Sequence, residues 1–210
     1  MLKIENVYTS GWKAAIRGMR NPKNSRAQID SAVVNGNGFV VGNNDYDLMY
    51  RLASAGTDHG KFMRMITVYL DVTAPLYWWK EFDTYKVGTV ANSCSTMHKI
   101  HSKEFTLDDF SHEQLNEKSL YMLNETVRYL NAVREAFVET KDKEYWWQMI
   151  QLLPSSYNQR RTVMLNYAVL RNIYHARKDH KLDEWHTFCD WIESLPYSDL
   201  ITGITGKAVL

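Results

Sequence analysis

The chain has 210 residues, of which 45% are hydrophobic and 13% are aromatic, so it can bury a sizeable core in one large domain. Its formal net charge of +1 excludes a global field that recruits nucleic acid or an anionic membrane, although a local basic patch is compatible with this balance. Two cysteines, Cys94 and Cys189, are too few for a secreted disulfide framework, and no apolar run reaches the length of a membrane span. We therefore expect a cytoplasmic protein that binds neither membranes nor nucleic acid.

The first third of the chain predicts turns, one helix and one strong strand. Residues 1–44 are predicted to form short strands and turns, and Asn35–Asn44 has the composition of a hairpin or loop. Asp45–Ala55 carries apolar residues at helical spacing and stops before Gly56, which predicts a helix. Phe62–Val72 is β-branched and apolar with partial alternation, which predicts a strand.

The rest of the chain is predicted to be mainly helical. Ala74-Pro75 introduces a helix from Leu76 to about Tyr85, and an irregular segment, Lys86–Lys99, follows it. Further helices are predicted around residues 120–137, after a capping box of Ser111 and Gln114, and over Tyr145–Leu153, Asn158–Lys178 and Asp183–Leu195. A strand in the middle and a helical C-terminal half predict a single α+β domain over residues 1–210.

Most common catalytic signatures are missing from the sequence. The seven histidines lack the spacing of a metal site, and the sequence contains no GxSxG, Walker or GxGxxG motif, so we expect no metal. Cys94 lies in a polar segment between cations, but no base for it is identifiable nearby. The pairs Trp78-Trp79 and Trp146-Trp147 are more typical of a core or a subunit interface than of a stacking platform.

Two segments have the character of a ligand site. Lys86–Lys99 is small, rich in hydroxyls and ended by cations, which suits a phosphate because a phosphate needs compact donors and close backbone approach. Asn166 and Arg177 lie eleven residues apart, which places them on one helix face about 16 Å apart. That arrangement suits an elongated anionic ligand. The alternative is a surface amide and a cation that interacts with the helix dipole.

Together these segments resemble the flavin-dependent thymidylate synthases, whose signature is R-H-R-x-x-S-x-N-E-x-S-x-R. When the chain is aligned from Ala74-Pro75, the R-H-R positions fall on Thr84, Tyr85 and Lys86, and the first serine falls on Thr89. After one inserted residue, the asparagine falls on Asn92 and the second serine on Ser95. The final arginine falls on Met97, beside His98 and Lys99.

The second segment resembles the family without gaps. Family positions fall on Leu153-Pro154, Asn166, Asn172 and Arg177, and His59 lies where the family carries a histidine on its folate side. The second segment departs from the family at two places, because a family arginine falls on Ile150 and a His-Ala-Gln triplet falls on Lys181-Leu182-Asp183.

The resemblance implies a central antiparallel sheet and a homotetramer with sites between subunits. It also implies methylation of dUMP to dTMP with methylenetetrahydrofolate, with FAD carrying hydride from NADPH. The residues that it assigns to the nucleotide are Ser95, Arg177, His98 and Lys99, and those that it assigns to the flavin are Lys86, Thr89, Asn92, Asn166, Asn172 and His59.

Neither arginine of the R-H-R motif is an arginine here, so we expect weak FAD binding and low or absent thymidylate synthase activity. One alternative is a divergent member of the family that binds, modifies or sequesters a nucleotide without flavin chemistry. The other is a purely structural oligomer.

Overall fold

A computed structural model describes residues 2–34 and 38–203 of the chain. Within them the strands are β1 (Lys3–Ser10), β2 (Ala32–Val34), β3 (Gly38–Val40), β4 (Thr67–Pro75), β5 (Val90–Ser93) and β6 (Asn158–Asn166). The helices are α1 (Trp12–Arg20), α2 (Asn43–Ser54), α3 (Leu76–Phe82), α4 (Glu117–Thr140), α5 (Lys143–Leu152), α6 (Tyr167–Arg177), α7 (Asp183–Glu193) and α8 (Asp199–Thr202).

The strands form two sheets. One contains four strands in the order β1-β4-β6-β5, and in the other β2 and β3 pair antiparallel, with Ala32 opposite Val40. The predicted α+β class with an antiparallel sheet and a largely helical C-terminal half is confirmed. The pairing of β2 with β3 supports the hairpin prediction over Asn35–Asn44, of which residues 35–37 lie outside the described part.

β4 begins later than the sequence predicts. Its inward residues alternate strictly, since Val68, Leu70, Val72 and Ala74 are buried and the residues between them are partly exposed. The predicted strand Phe62–Val72 is wrong over its first residues, which belong to a 3₁₀ turn over Gly60–Met65. The turn buries Phe62 and Met63 side by side, and adjacent burial of this kind is incompatible with a one-sided strand.

The predicted helix Asn158–Lys178 is wrong over its first half, which forms β6. Before its last residue, β6 buries Gln159, Val163 and Leu165, which lie at even spacing. The strand period of two therefore applies here, although the apolar residues alone resembled a helical pattern. α6 then begins where the Asn166 side chain accepts a hydrogen bond from the Val169 N–H at 3.1 Å, a typical N-cap.

Some smaller predictions also fail. Residues 1–44 contain a helix, α1, because Trp12, Ile16 and Met19 recur at helical spacing and bury one face. Ser111 does not cap the long helix, since α4 begins at Glu117 and Asn116 caps it. The Ser111 hydroxyl instead donates to Asn158 Oδ1 at 2.8 Å. The predicted helices Leu76–Tyr85 and Asp183–Leu195 end earlier, at Phe82 and Glu193.

Two compact units can be distinguished among the described residues. Unit I comprises residues 2–5, 71–84 and 91–162. Its helices α4 and α5 pack against each other. The apolar core beneath them contains Ile100, Phe105, Phe110, Leu123, Val127, Leu130, Val133 and Met149. At the start of α3, the backbone N–H groups of Leu76 and Tyr77 donate to carbonyls of Tyr157 and Ser155, so these amides are satisfied without a side-chain cap.

Unit II comprises residues 6–34, 38–70, 85–90 and 163–203. α6 is the central helix of this unit, because it packs against α7, α8 and the 3₁₀ turn Gly60–Met65. A buried ion pair links the end of α1 to α2: Arg20 Nε donates to Asp45 Oδ1 at 2.5 Å, and their side chains are 4% and 0% exposed. A single domain over residues 1–210 stays a prediction.

Candidate functional site

The turn that follows Tyr85 in unit II holds the first group of candidate residues. Gly88 has φ +81°, and its carbonyl lies 3.5 Å from Asn166 Nδ2. A Cβ atom at Gly88 would lie 2.9 Å from that amide nitrogen and 3.1 Å from Val169 Cγ2. The turn therefore approaches the N-terminus of α6 closely, and both its backbone conformation and its contact surface require glycine.

We predict that Gly88→Ala destabilises the protein by about 1–3 kcal/mol, because the substitution combines an unfavourable positive φ with a steric clash. Urea unfolding measures the change. Gly56→Ala is the matched control, since Gly56 has φ +105° and a Cβ atom at this residue would meet no other atom within 4 Å. Equal losses in the two variants would show that the contact with α6 is unimportant.

Thr89 is the next residue of this turn. Its hydroxyl oxygen is buried and has no hydrogen-bond partner among the described residues. A buried hydroxyl without a partner is uncommon, because leaving it unpaired costs about 1–3 kcal/mol. Thr89 Oγ1 is therefore a candidate to bind a ligand atom.

Arg177 ends α6 and is held by two aromatic side chains of unit II. Its Nε donates to the Tyr85 hydroxyl at 2.9 Å, and its guanidinium carbon lies 4.9 Å from the centroid of the Trp185 ring. The two rings meet edge to face with centroids 6.2 Å apart. Because a guanidinium is planar, a hydrogen bond on one edge and a ring against its face together fix its orientation.

The other predicted residues of unit II fall into two kinds. Lys86, His59 and Asn172 are exposed on the surface. Asn166 is only 8% exposed, and its side chain both caps α6 and contacts Gly88. Asn166 thus has a structural role that the helical interpretation of residues 158–178 missed, and its assignment to a ligand stays a prediction.

The predicted residues of unit I lie in and after β5. Asn92, Ser95, His98 and Lys99 are all exposed. The Ser95 hydroxyl oxygen accepts hydrogen bonds from the backbone N–H groups of Met97, at 3.2 Å, and His98, at 2.8 Å. The backbone of this turn is thus organised by Ser95 itself.

Trp146 anchors the turn to α5, because its Nε1 donates to the Met97 carbonyl at 3.0 Å. The exposed cations His98 and Lys99 therefore follow an ordered turn. We find no metal cluster here or elsewhere in the described residues, since no three His, Cys, Asp or Glu side chains converge there.

Arg161 of unit I is held by a carboxylate, an amide and an aromatic ring. Arg161 donates from Nη1 to Asp83 Oδ1 at 2.7 Å and from Nε to Gln159 Oε1 at 2.9 Å, and its guanidinium carbon lies 4.2 Å from the centroid of the Trp79 ring. Gln159 Nε2 donates in turn to the Cys94 carbonyl at 2.7 Å. This network ties the end of α3 to β6.

Solved structures of one enzyme family share this arrangement of strands and helices. The flavin-dependent thymidylate synthase ThyX from Helicobacter pylori, in two structures with FAD and dUMP, matches with TM-scores of 0.68 and 0.70 at 16% identity. The two alignments cover 95% and 97% of this chain and 99% and 98% of theirs. The chain has the fold of the flavin-dependent thymidylate synthases. The UMP/dUMP methylase PolB from Streptomyces cacaoi, bound with 5-Br dUMP, matches with a TM-score of 0.58 at 13% identity, over 92% of this chain and 89% of that one.

No protein-family sequence model matches the chain, and no curated protein sequence matches it significantly. The likeness to the ThyX fold is therefore one of structure. In the described residues, no helix combines the length and the apolar character that crossing a membrane requires.

The residues that align with the R-H-R signature do not fit a tight flavin site. The Thr84 hydroxyl donates to the Glu81 carbonyl at 2.7 Å, and the Tyr85 hydroxyl accepts from Arg177. Lys86 is the one fixed positive charge among the three, and a lysine does not reproduce the planar fork of an arginine. The buried hydroxyl of Thr89, which has no partner among the described residues, is compatible with a cofactor contact.

Sequence reasoning missed Trp185 and the bond from Arg177 to Tyr85. Trp185 lies on α7, and Tyr85 precedes Arg177 by 92 residues, so neither contact follows from local spacing. The sequence signal that pointed to Tyr85 was its alignment with the middle position of R-H-R, which predicts that this residue lies inside the ligand site.

Proposed function

We propose that this protein binds a pyrimidine nucleoside monophosphate, of which dUMP is the first candidate, and that Arg177 contacts its phosphate. The observation that carries the proposal is the orientation of the Arg177 guanidinium by Tyr85 and Trp185. An arginine whose plane is fixed loses little conformational entropy on binding, and it can donate two parallel hydrogen bonds to a phosphate.

The ThyX fold supports the choice of nucleotide. The matched structures contain dUMP or 5-Br dUMP, and one of these proteins is a methylase of UMP and dUMP. Ser95, His98 and Lys99 remain proposed nucleotide residues on the strength of the sequence resemblance.

The test is a calorimetric titration of the purified protein with dUMP and, separately, with FAD. We expect saturable dUMP binding and FAD binding at least ten times weaker, because two flavin arginines are replaced and each charged contact contributes about 1.5–3 kcal/mol. Tight, stoichiometric FAD with undetectable dUMP binding would contradict the proposal.

A second candidate function is flavin-dependent methylation of dUMP with methylenetetrahydrofolate and NADPH. The unpaired buried hydroxyl of Thr89 favours it, because this residue falls on a flavin position of the signature. Bound FAD supplies hydride transfer, and Thr89 is the side chain that we propose to contact it. Formation of dTMP on incubation with dUMP, methylenetetrahydrofolate, NADPH and FAD would establish this candidate. A colourless protein without turnover would contradict it, and nucleotide binding would then be the remaining proposed function.

We also propose a cytoplasmic homotetramer. Tyr121, Met122 and Tyr129 of α4 are 62%, 58% and 50% exposed in the single chain, and large exposed side chains of this type are enriched in interfaces. Sedimentation distinguishes a tetramer from a monomer of 24.6 kDa.

A further inference from the structure

A cavity beside α2 in unit II is lined by residues that were not assigned to the nucleotide or the flavin. Its volume is about 540 Å³, and it lies between α2 and the turns that follow α1. Three cations line it, Arg20, Lys23 and Arg51, and Asp47 is the one acid that the described residues contribute to its wall. Ser25, Gln28 and Asn44 add neutral hydrogen-bonding groups.

Arg20 is a buried arginine that is held in a fixed position at the wall of this cavity. The residue is 3% exposed and still reaches the cavity wall. Asp45 holds its Nε, while Nη1 donates to Gln28 Oε1 at 3.3 Å. The second oxygen of Asp45 is occupied by the backbone N–H groups of Asp30 and Ser31, both at 3.0 Å, so the carboxylate cannot turn away from Arg20. The guanidinium is therefore fixed before any ligand arrives.

The other two cations have no carboxylate partner. In the part of the chain that the structure describes, neither Lys23 nor Arg51 forms an ion pair. Unpaired cations around one cavity repel each other, and an anion in the cavity relieves that repulsion. The sequence of this region also carries an excess of positive charge, since the stretch from Gly11 to Gln28 contains five lysines and arginines and no acidic residue.

A second pocket of unit II is lined by Ser31, whose hydroxyl donates to Asp45 Oδ2 at 2.7 Å, and it indicates what the anion carries. Its volume is about 220 Å³, and its wall is mainly apolar, with Ile16, Ile29, Val33 and Phe39. Lys13 and Arg17 also line it. Arg17 precedes Arg20 by three residues on α1, a rise of about 4.5 Å, so a ligand can place phosphates in the first cavity and a planar group in the second.

We propose that these two cavities form a binding site for a nucleoside diphosphate or triphosphate. The phosphates lie against Arg20, Lys23 and Arg51, and the base lies in the apolar pocket. This site involves neither Arg177 nor Thr89, so it does not depend on the function proposed above.

The experiment is calorimetric titration of the Arg177→Ala protein with inorganic pyrophosphate and with ADP, so that nucleotide binding at Arg177 does not contribute. We expect both probes to bind, and ADP to bind at least threefold more tightly than pyrophosphate. Lys23→Gln/Arg51→Gln in the same background should weaken both by about 10- to 100-fold, because two charge-assisted contacts are lost.

The matched control is Arg26→Gln/Lys80→Gln, which removes the same charge from exposed residues outside the cavity wall. It should change either affinity by less than twofold. Absence of pyrophosphate binding, or an equal loss in the control, would overturn the phosphate site. ADP binding no tighter than pyrophosphate would overturn the assignment of the base to the apolar pocket.

Discussion

Replacing Asp45 by alanine is expected to lower the free energy of unfolding by about 3–5 kcal/mol, because the substitution leaves Arg20 buried without a counter-charge. Asp45 is 0% exposed and accepts hydrogen bonds from Arg20, Ser31 and the backbone of Asp30. Urea unfolding measures the loss. Asp47→Ala, two residues along α2 at an exposed carboxylate, should cost less than about 0.5 kcal/mol.

The same residue predicts a pH dependence of stability. Burial raises the pKa of Asp45, but hydrogen bonds from Ser31 and Arg20 outweigh this effect and hold the pKa below its ordinary value of 3.8. A carboxyl group with a lowered folded-state pKa stabilises the protein above its unfolded pKa, and this stabilisation is lost as the pH falls through the folded pKa. The difference in the free energy of unfolding between the parent and Asp45→Asn should therefore shrink as the pH is lowered from about 5 towards about 2. A constant deficit would contradict the ionised state of Asp45.

Replacing Arg177 by alanine is the second large effect, and it acts on binding. We expect the affinity for dUMP to fall by about 2–4 kcal/mol, which is roughly 30- to 1,000-fold, because a charge-assisted contact to phosphate is lost. Folding should survive, since Arg177 is the last residue of α6 and is half-buried. Lys178→Ala, at the next and exposed position, is the control for the loss of one positive charge.

Tyr85 provides an internal check on that result. Tyr85→Phe removes only the hydroxyl that Arg177 Nε contacts, so it should weaken dUMP binding by about 1 kcal/mol, or roughly fivefold. If Tyr85→Phe has no effect while Arg177→Ala has the full one, Arg177 binds without the orientation that Tyr85 gives it. If neither variant changes the affinity, Arg177 lies outside the nucleotide site.

The fold was predictable where one periodicity dominates a segment. α2 and α4 bury residues at helical spacing, and the alternation in β4 extends over eight residues, 67–74, so the class and order of these elements follow from the sequence. β6 was not predictable in this way. Its apolar residues Val163, Met164 and Leu165 are consecutive and follow the polar first half of the strand, and the strand runs directly into α6 without a Gly or Pro between them.

The candidate site was predictable only where a motif places a residue. Arg177 and Thr89 were reached through the resemblance, and each has a structural feature that makes it a candidate for binding: an oriented guanidinium and an unpaired buried hydroxyl. The partners of Arg177 come from distant parts of the chain, and the capping role of Asn166 depends on the boundary between β6 and α6. Long-range contacts and exact element boundaries are what local patterns specify least.

The most direct measurement of the central claim is a crystal structure of the protein grown with saturating dUMP. The account predicts one nucleotide for each chain, with its phosphate within hydrogen-bond distance of the Arg177 guanidinium and with Arg177 still bonded to the Tyr85 hydroxyl. A nucleotide bound away from Arg177, or no nucleotide at saturating concentration, would contradict it.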